Sequence, residues 1–194
     1  YTLYSVWGSS AHDVFAVGST GRICTMGCYY LPVIYHYNGT SWSPMTPYLG
    51  LSGLNCVWGS SATDVFAVGN DGLILHYDGT TWSQMSSGTT NPLYGVWGSS
   101  STDVYAVGQG SMLHYNGSSW SPVQTGYPAY FRGVWGSSAD NVFAVGYTFT
   151  ENVILRFDGN SWATMTMTPP SDCGLCAVWG SSATDVFTAG FCGI

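Results

Sequence analysis

The chain has 194 residues, of which only 7% are charged, and ten acidic residues against three arginines and no lysine give a net charge of −7. Nucleic acids and anionic membranes are bound through clusters of basic side chains, so this composition argues against both classes of partner. No apolar run reaches the roughly 18 residues of a membrane-spanning helix. Six cysteines in a weakly charged chain favour a secreted or cell-surface protein, because disulfides persist in oxidising compartments.

A twelve-residue motif recurs along the whole chain. Its second copy reads Trp-Gly-Ser-Ser-Ala-Thr-Asp-Val-Phe-Ala-Val-Gly from Trp58 to Gly69, and successive copies start 51, 39, 38 and 44 residues apart. Self-similarity at a period of about 40 residues predicts a repeat fold built from one small unit. The five copies occupy residues 7–18, 58–69, 97–108, 135–146 and 179–190.

Each repeat reads as four short β-strands separated by turns. Strand formers such as Val, Phe, Tyr and Trp fill the runs, and Gly, Ser, Asn and Asp separate them. No segment keeps a 3.6-residue period, so we expect almost no helix. In the second repeat the predicted strands are Leu54–Gly59, Asp64–Val68, Leu73–Tyr77 and Thr81–Met85.

The third strand of each complete repeat ends in an Asn-Gly or Asp-Gly pair, and a tryptophan follows on the fourth strand. These dipeptides favour the positive-φ turns of tight hairpins. Four-stranded units of this length predict an all-β chain that forms one β-propeller domain over residues 1–194. We expect the blades at about residues 1–48, 49–89, 90–126 and 127–170, with a partial fifth blade of two strands at 171–194.

The partial fifth blade leaves the propeller incomplete. Blade one starts with its own first strand, so the N-terminus supplies no spare strand to complete blade five. Three outcomes are open: the natural chain continues, the half-blade stays open, or another chain completes it, since an exposed sheet edge is a template for pairing. The start at Tyr1 rather than Met is typical of a mature form or a fragment.

The pattern W-G-S-S-x-x-D-V-[FY]-A-V-G, followed by I-L-H-Y-D-G-T-T-W, resembles the secreted β-propeller repeats of bacterial surface proteins. It is also similar to the Asp-box pattern S-x-D-x-G-x-T-W of sialidase-like propellers, although it is one residue shorter. The resemblance covers nearly the whole chain and implies the propeller fold. Because propellers carry unrelated activities, it implies little about function.

The connections between strands fall into two sets. The loops between strands one and two and the turns between strands three and four are nearly constant, whereas the other two connections vary in length. In a meander the constant connections share one side, so we expect a constant face and a variable face. Loops that vary on a rigid scaffold usually carry binding. The variable face collects aromatic side chains, among them Phe149. Its tyrosines are predicted to bind a ligand: Tyr29, Tyr30, Tyr48, Tyr127, Tyr130 and Tyr147.

We interpret the repeated aspartates of the motif as structural. Asn141 replaces the aspartate in blade four, and an amide cannot ionise, so an Asx-type cap on the loop explains both residue types. The other carboxylates and the three arginines do not form the sets that glycosidases or sialidase-like enzymes need. We therefore expect no catalytic residue and no cofactor. The repeated aspartates are Asp13, Asp64, Asp103 and Asp185.

Three histidines share one position on the third strands, which Arg156 occupies in blade four. Equivalent third strands lie too far apart to hold one ion, so we expect inter-blade hydrogen bonds rather than a metal site. A lone Cys-x-x-Cys at Cys173 and Cys176 is a weak zinc signal. The histidines are His36, His76 and His114.

The cysteines lie on or beside the variable face. If Trp179 faces Val186 in the antiparallel pair of blade five, Cys173 faces Cys192, which predicts a disulfide that closes the half-blade. Six cysteines allow 15 connectivities, and the others remain open.

Cys24 and Cys28 flank three residues in the insert of blade one, and we expect them to bridge each other, or either of them to bond Cys56. Two N-glycosylation sequons start at Asn38 and Asn116. Both coincide with turns that the repeat requires, so their modification depends on a source that glycosylates its surface proteins.

These observations favour a non-enzymatic scaffold or adhesion module, extracellular or at the cell surface, that acts as the subunit of a larger assembly completed through the open fifth blade. Its partner is then a protein or a second copy of the chain. The alternative is a lectin-like propeller that binds neutral glycans through the variable-face tyrosines. A third function, an Asp-box-type glycosidase using Glu151 or Asp172, rests on the fold resemblance alone.

Overall fold

The computed structural model describes residues 1–24, 28–45, 52–167 and 174–191. Within these ranges the regular structure is β-strand apart from one 3-10 turn at Asn70–Gly72, as the absence of a helical period predicts. None of the described residues forms a helix with the length and apolarity that crossing a membrane requires.

The strand bounds follow the repeats. The strands up to residue 85 are β1 (Thr2–Ser10), β2 (Asp13–Ser19), β3 (Ile23–Cys24), β4 (Cys28–Tyr29), β5 (Pro32–Tyr37), β6 (Trp42–Pro44), β7 (Leu54–Ser61), β8 (Asp64–Gly69), β9 (Ile74–Tyr77) and β10 (Trp82–Met85). The later strands are β11 (Leu93–Ser100), β12 (Asp103–Gly108), β13 (Ser111–Tyr115), β14 (Trp120–Pro122), β15 (Tyr130–Ser138), β16 (Asn141–Tyr147), β17 (Asn152–Phe157), β18 (Trp162–Thr164), β19 (Leu175–Ser182) and β20 (Asp185–Gly190).

Four sheets are antiparallel meanders of four strands, in the orders β1-β2-β5-β6, β7-β8-β9-β10, β11-β12-β13-β14 and β15-β16-β17-β18. Strands β19 and β20 form a two-stranded sheet, and the hairpin β3-β4 lies in the connection between β2 and β5. These sheets are the predicted blades one to four and the half-blade five. In blade two the observed strands agree with the predicted ones to within two residues.

The chain groups into two compact units. Tyr1–Leu93 contains blades one and two, and Tyr94–Ile194 contains blades three and four with the described strands of blade five. The single domain over residues 1–194 stays a prediction.

The two constant connections of each complete blade touch each other. In blade two Gly79 has a φ of +90°, and a Cβ on it would stand 2.8 Å from Thr63 in the loop between strands one and two. Gly117 meets Thr102 in the same way in blade three. This contact confirms that both constant connections lie on one side of the blade, and it explains why a glycine stands in every third-to-fourth-strand turn.

Blades one and two interlock through aromatic side chains. Phe15 of β2 is 1% exposed, and its ring lies 5.6 Å from Tyr77 and 6.1 Å from Trp82 of blade two, centroid to centroid. Trp7 of β1 lies over Gly59, where a Cβ would stand 2.7 Å from the indole ring. The motif glycine is therefore a niche for the motif tryptophan of the preceding blade.

Blades three and four repeat this packing in the second unit. Tyr105 takes the place of the phenylalanine, with its ring 6.5 Å from Phe157 and 5.7 Å from Trp162. Trp97 lies over Gly136, where a Cβ would stand 2.5 Å from the indole. Aromatic pairs at these separations add about 0.5–1.5 kcal/mol each to the stabilisation from buried area.

The turn residues behave as the sequence predicts. The Asp78 carboxylate accepts hydrogen bonds from the backbone N–H groups of Thr81 at 2.8 Å and Thr80 at 2.9 Å. These bonds, that from Thr81 foremost, lower the pKa of Asp78 below the usual 3.8. Backbone bonds from Ser161 and then Asn160 lower the pKa of Asp158 in the same way.

Because the folded pKa lies below the unfolded one, each carboxylate stabilises the fold above about pH 4 and loses that effect as the pH falls through the folded pKa. We expect Asp78→Asn combined with Asp158→Asn to keep both turns, since Asn38 and Asn116 fill this position in blades one and three. The double variant should lose less stability on acidification than the parent, as thermal unfolding followed by circular dichroism between about pH 2 and 7 would measure. Equal loss of stability on acidification in the two proteins would contradict the stabilising role given to the Asp78 and Asp158 carboxylates.

Candidate functional site

The motif aspartates bind side chains. In blade one Asp13 accepts a hydrogen bond from Ser9 Oγ at 2.5 Å on one carboxylate oxygen, and His36 Nε2 lies 2.6 Å from the other. The His36 ring also packs 4.6 Å from Phe15, centroid to centroid. Blades two and three repeat this arrangement, which we call the Ser–Asp–His staple, in the sets Ser60, Asp64, His76 and Ser99, Asp103, His114.

The staple corrects two expectations. The histidines bond within their own blade, because strand three of each blade lies directly beside the start of strand two, so the predicted inter-blade bonds are wrong. The loop is capped by a serine: His12 N–H donates to Ser10 Oγ in blade one. The carboxylates of Asp13, Asp64 and Asp103 are therefore not the Asx caps that the sequence suggested.

Blade four preserves the staple with different residues. Arg156 Nε donates to Asn141 Oδ1 at 2.7 Å, and Asn141 Nδ2 donates to Ser137 Oγ at 2.8 Å. The connectivity is the same although no carboxylate is present. A neutral amide thus makes the same contacts as the carboxylates of the other blades, which favours a structural role for the staple.

The staple does not have the geometry of a catalytic triad. A serine nucleophile needs its Oγ within hydrogen-bond reach of the base, whereas Ser9 and His36 bind opposite oxygens of Asp13. Among the described residues no three His, Cys, Asp or Glu side chains come together as a candidate metal site.

The staple makes a graded prediction for Asp64. We expect Asp64→Ala to lower the free energy of unfolding by about 1.5–3 kcal/mol, because it removes hydrogen bonds to a charged group. Asp64→Asn is the matched control and should cost less than half as much, since Asn141 carries the same bonds in blade four. Urea denaturation measures both, and equal losses would contradict a structural role that is independent of charge.

The described structure brings two of the predicted variable-face tyrosines together. Tyr130 and Tyr147 stack with centroids 5.8 Å apart and planes 10° apart, and Phe149, 92% exposed, meets Tyr130 edge-on at 5.7 Å. Arg132 donates from Nη2 to the Tyr147 hydroxyl at 3.2 Å, and its guanidinium lies 4.0 Å above the Tyr94 ring. We call Tyr94, Tyr130, Arg132, Tyr147 and Phe149 the aromatic cluster.

Sequence reasoning missed Tyr94 and Arg132. Arg132 sits at a β-bulge, where the ladder with β16 passes from Phe131 to Gly133 and leaves it unpaired. Bulges re-aim side chains and are frequent beside functional sites. A signal was present in the sequence, because the position three residues before each motif tryptophan varies although it lies next to the constant motif. Its occupants are Tyr4, Asn55, Tyr94, Arg132 and Cys176.

The aromatic cluster holds a cation between flat rings. The Arg132 Nε is buried without a hydrogen-bond partner among the described residues. Burial raises the pKa of the nearby Cys176 thiol, and the Arg132 charge offsets part of that rise. A guanidinium flanked by phenols suits a planar or anionic polar group, and the exposed Phe149 ring of the same cluster offers an apolar contact.

The remaining predicted tyrosines are dispersed. Tyr127 lines a groove of about 190 Å³ together with Glu151 and Asn152. Tyr29 is half-buried on β4 and Tyr30 is exposed beside it. Tyr48 and Asp172 lie outside the described residues. The sequon residues Asn38 and Asn116 are exposed, with their Oδ1 atoms bound in the turn, and their glycosylation stays a prediction.

Cys24 and Cys28 are direct partners in the β3-β4 ladder. Facing residues of an antiparallel pair have Cα atoms about 4.5–5.5 Å apart, within the span of a disulfide. The backbone thus meets the requirement, and the bridge itself stays a prediction. Cys56 lies elsewhere in the unit, with its Sγ 3.7 Å from Ser5 Oγ.

The register expected in blade five is wrong at the motif tryptophan. Trp179 pairs with Phe187 and not with Val186. A bulge after Leu175 then shifts the ladder by one residue, so that Leu175 pairs with Gly190. Beyond the bulge the observed pairing therefore agrees with the register that the sequence analysis expected.

This shift leaves the disulfide prediction for blade five in place. The Phe191 N–H donates to the Gly174 carbonyl at 3.3 Å. Gly174 and Phe191 are the chain neighbours of Cys173 and Cys192, so their pairing is the one that a Cys173–Cys192 bridge requires. Both cysteines lie outside the described residues, so the bridge stays a prediction.

Blade five exposes the face that other blades bury. Trp135 of blade four lies over Gly180, so the half-blade receives its predecessor in the usual way. On the opposite face Trp179 and Phe187 are each 60% exposed, whereas Phe143, which corresponds to Phe187, is 6% exposed. This outer face of blade five is the second candidate site.

No protein-family model and no curated protein matches this chain. Several solved structures do, and among them are two structures of YCF48. One is YCF48 bound to a D1 peptide, with 12% identity over 97% of this chain and 74% of that one at a TM-score of 0.64. The other is YCF48 from Cyanidioschyzon merolae, with 12% identity over 92% of this chain and 60% of that one at a TM-score of 0.64.

Virginiamycin B lyase from Staphylococcus aureus matches with 11% identity over 99% of this chain and 68% of that one, at a TM-score of 0.73. The chain thus spans between 60% and 74% of the length of these three proteins. At such identities the likeness shows the fold alone. The chain is an all-β propeller protein, and its described residues form four four-stranded blades and a two-stranded fifth blade.

Proposed function

We propose that this chain is a non-enzymatic scaffold, working outside the cell or at its surface, that joins a larger assembly through the outer face of blade five. One observation carries the proposal: Trp179 and Phe187 are each 60% exposed on a face that neighbouring blades bury. Large rings exposed together are typical of protein contact sites, where aromatic residues supply most of the binding energy.

Two further features support a binding role over a catalytic one. The repeated Ser–Asp–His sets are used as staples, and blade four manages without the acid. One structural neighbour, YCF48, is described with a bound peptide, so a propeller of this kind can serve a protein partner.

The proposal predicts that the chain associates and that blade five is required. We expect the mass measured by light scattering to rise with concentration above the 20.7 kDa of one chain. Trp179→Ser combined with Phe187→Ser should weaken association at least tenfold, because two exposed rings lose their buried contact. Phe149→Ser is the matched control, since it removes a more exposed ring from a different face. Association that survives the double variant would refute the proposal.

A second candidate function is binding of neutral glycans, and the groove beside Tyr127 favours it. Tyr127, Glu151 and Asn152 line one concave surface. Sugars are commonly held by a flat ring under the pyranose face and by polar groups around its hydroxyls.

Glycan binding makes its own prediction. The chain should bind members of a neutral glycan array, and Tyr127→Ala should reduce that binding at least tenfold, whereas Tyr30→Ala, which removes another exposed tyrosine, should leave it unchanged. Loss through Tyr127 would place the sugar in this groove. Glycan binding in this groove would be rejected if the array showed no bound glycan, or if Tyr127→Ala left the binding unchanged.

A further inference from the structure

The structure contains a repeated blade-to-blade interface with two sides. The presenting side of a blade offers the motif tryptophan of strand one and the aromatic residue of strand two. In blade one these are Trp7 and Phe15, which enter blade two beside Gly59, Tyr77 and Trp82. Blade three enters blade four with Trp97 and Tyr105 in the same manner.

The presenting side of blade five has no occupied receiver among the described residues. Its tryptophan and phenylalanine are Trp179 and Phe187, each 60% exposed. Strands β19 and β20 have the same bulged register as β1 and β2, with Trp179 opposite Phe187 as Trp7 is opposite Phe15. The two rings therefore stand in the positions from which other blades enter their successors.

The receiving side of a blade consists of the motif glycine, the aromatic residue that ends strand three and the tryptophan of strand four. In blade one this side is formed and exposed. Tyr37 and Trp42 lie 5.4 Å apart with planes at 37°, which repeats the 5.3 Å and 32° of Tyr77 and Trp82 in blade two. Trp42 is 48% exposed.

The first strand shows the same contrast. Val6 is 65% exposed, whereas its counterparts Val57 and Val134 are 4% and 8% exposed. Beside it, the niche at Gly8 meets only atoms of its own blade.

We propose that the partner of blade five is blade one of a second copy, with Trp179 over Gly8 and Phe187 against Tyr37 and Trp42. This inference rests on the proposed function and names its partner. It continues the interface that blades one and two, three and four, and four and five already form. The two halves are different surfaces, so the contact is head-to-tail, and copies joined in this way close into a ring or extend as a filament.

The test uses two kinds of full-length variant. The presenting variant carries Trp179→Ser and Phe187→Ser, and the receiving variant carries Val6→Asp, with Trp42→Ser as an independent second receiving variant. All altered side chains are substantially exposed, so unchanged thermal unfolding is expected and is verified first. Met165→Asp is the matched control for a new carboxylate at an exposed apolar position.

We expect each variant alone to remain at the mass of one chain under conditions where the parent and Met165→Asp associate. Mixed in equal amounts, the presenting and receiving variants should form a dimer and nothing larger, because each brings one intact half of the interface. Light scattering distinguishes a dimer from a monomer and from larger species.

The possible failures separate the two proposals. If the presenting variant is monomeric but both receiving variants associate like the parent, blade five mediates assembly and blade one of a second copy is not its partner. If the mixed variants fail to form a dimer, the head-to-tail contact is also refuted. If the parent chain stays monomeric at all concentrations, the proposed function fails together with this inference.

Discussion

The contact on which the structure depends is a tryptophan seated over a glycine of the next blade. Trp7 over Gly59 and Trp97 over Gly136 leave no room for a Cβ, so the same Trp-Gly dipeptide forms both halves of the contact. A chain built from such units propagates by adding identical interfaces, as repeat proteins generally do. Among the described residues Trp179 is 60% exposed and the niche at Gly8 has no tryptophan among its nearest atoms, which is the basis for the contact proposed between copies.

The constant parts of the motif fix the blade and leave other positions free to vary. The staple around Asp64 ties strands one, two and three of a blade, and the exchange to Asn141 and Arg156 shows that connectivity matters more than charge. The long connections and the bulge of the first strand vary more between the copies than the motif does. Arg132 stands at that bulge, held between Tyr94 and Tyr147, which makes the aromatic cluster a product of positions outside the motif.

Much of the fold was predictable from the repeat period, because four-stranded units with Asn-Gly and Asp-Gly turns have few other arrangements. The hydrogen-bond partners of the histidines could not be predicted, because a shared sequence position does not tell whether His76 bonds within its own blade or to a neighbouring blade. The register of blade five was missed for a related reason: a bulge shifts pairing by one residue without a clear sequence mark. Tyr94 and Arg132 lie on first strands, and nothing in the sequence marks the bulge that turns Arg132 toward the two tyrosine rings.

The most direct test is hydroxyl-radical footprinting of the full chain, read by mass spectrometry, from dilute to concentrated solution. If blade five docks on blade one of a second copy, oxidation of Trp179 and Phe187 falls as concentration rises, and oxidation of Trp42 falls in parallel. Phe149, 92% exposed on another face, stays equally reactive throughout. Undiminished oxidation of Trp179 and Trp42 at concentrations where the chain is associated would contradict the account.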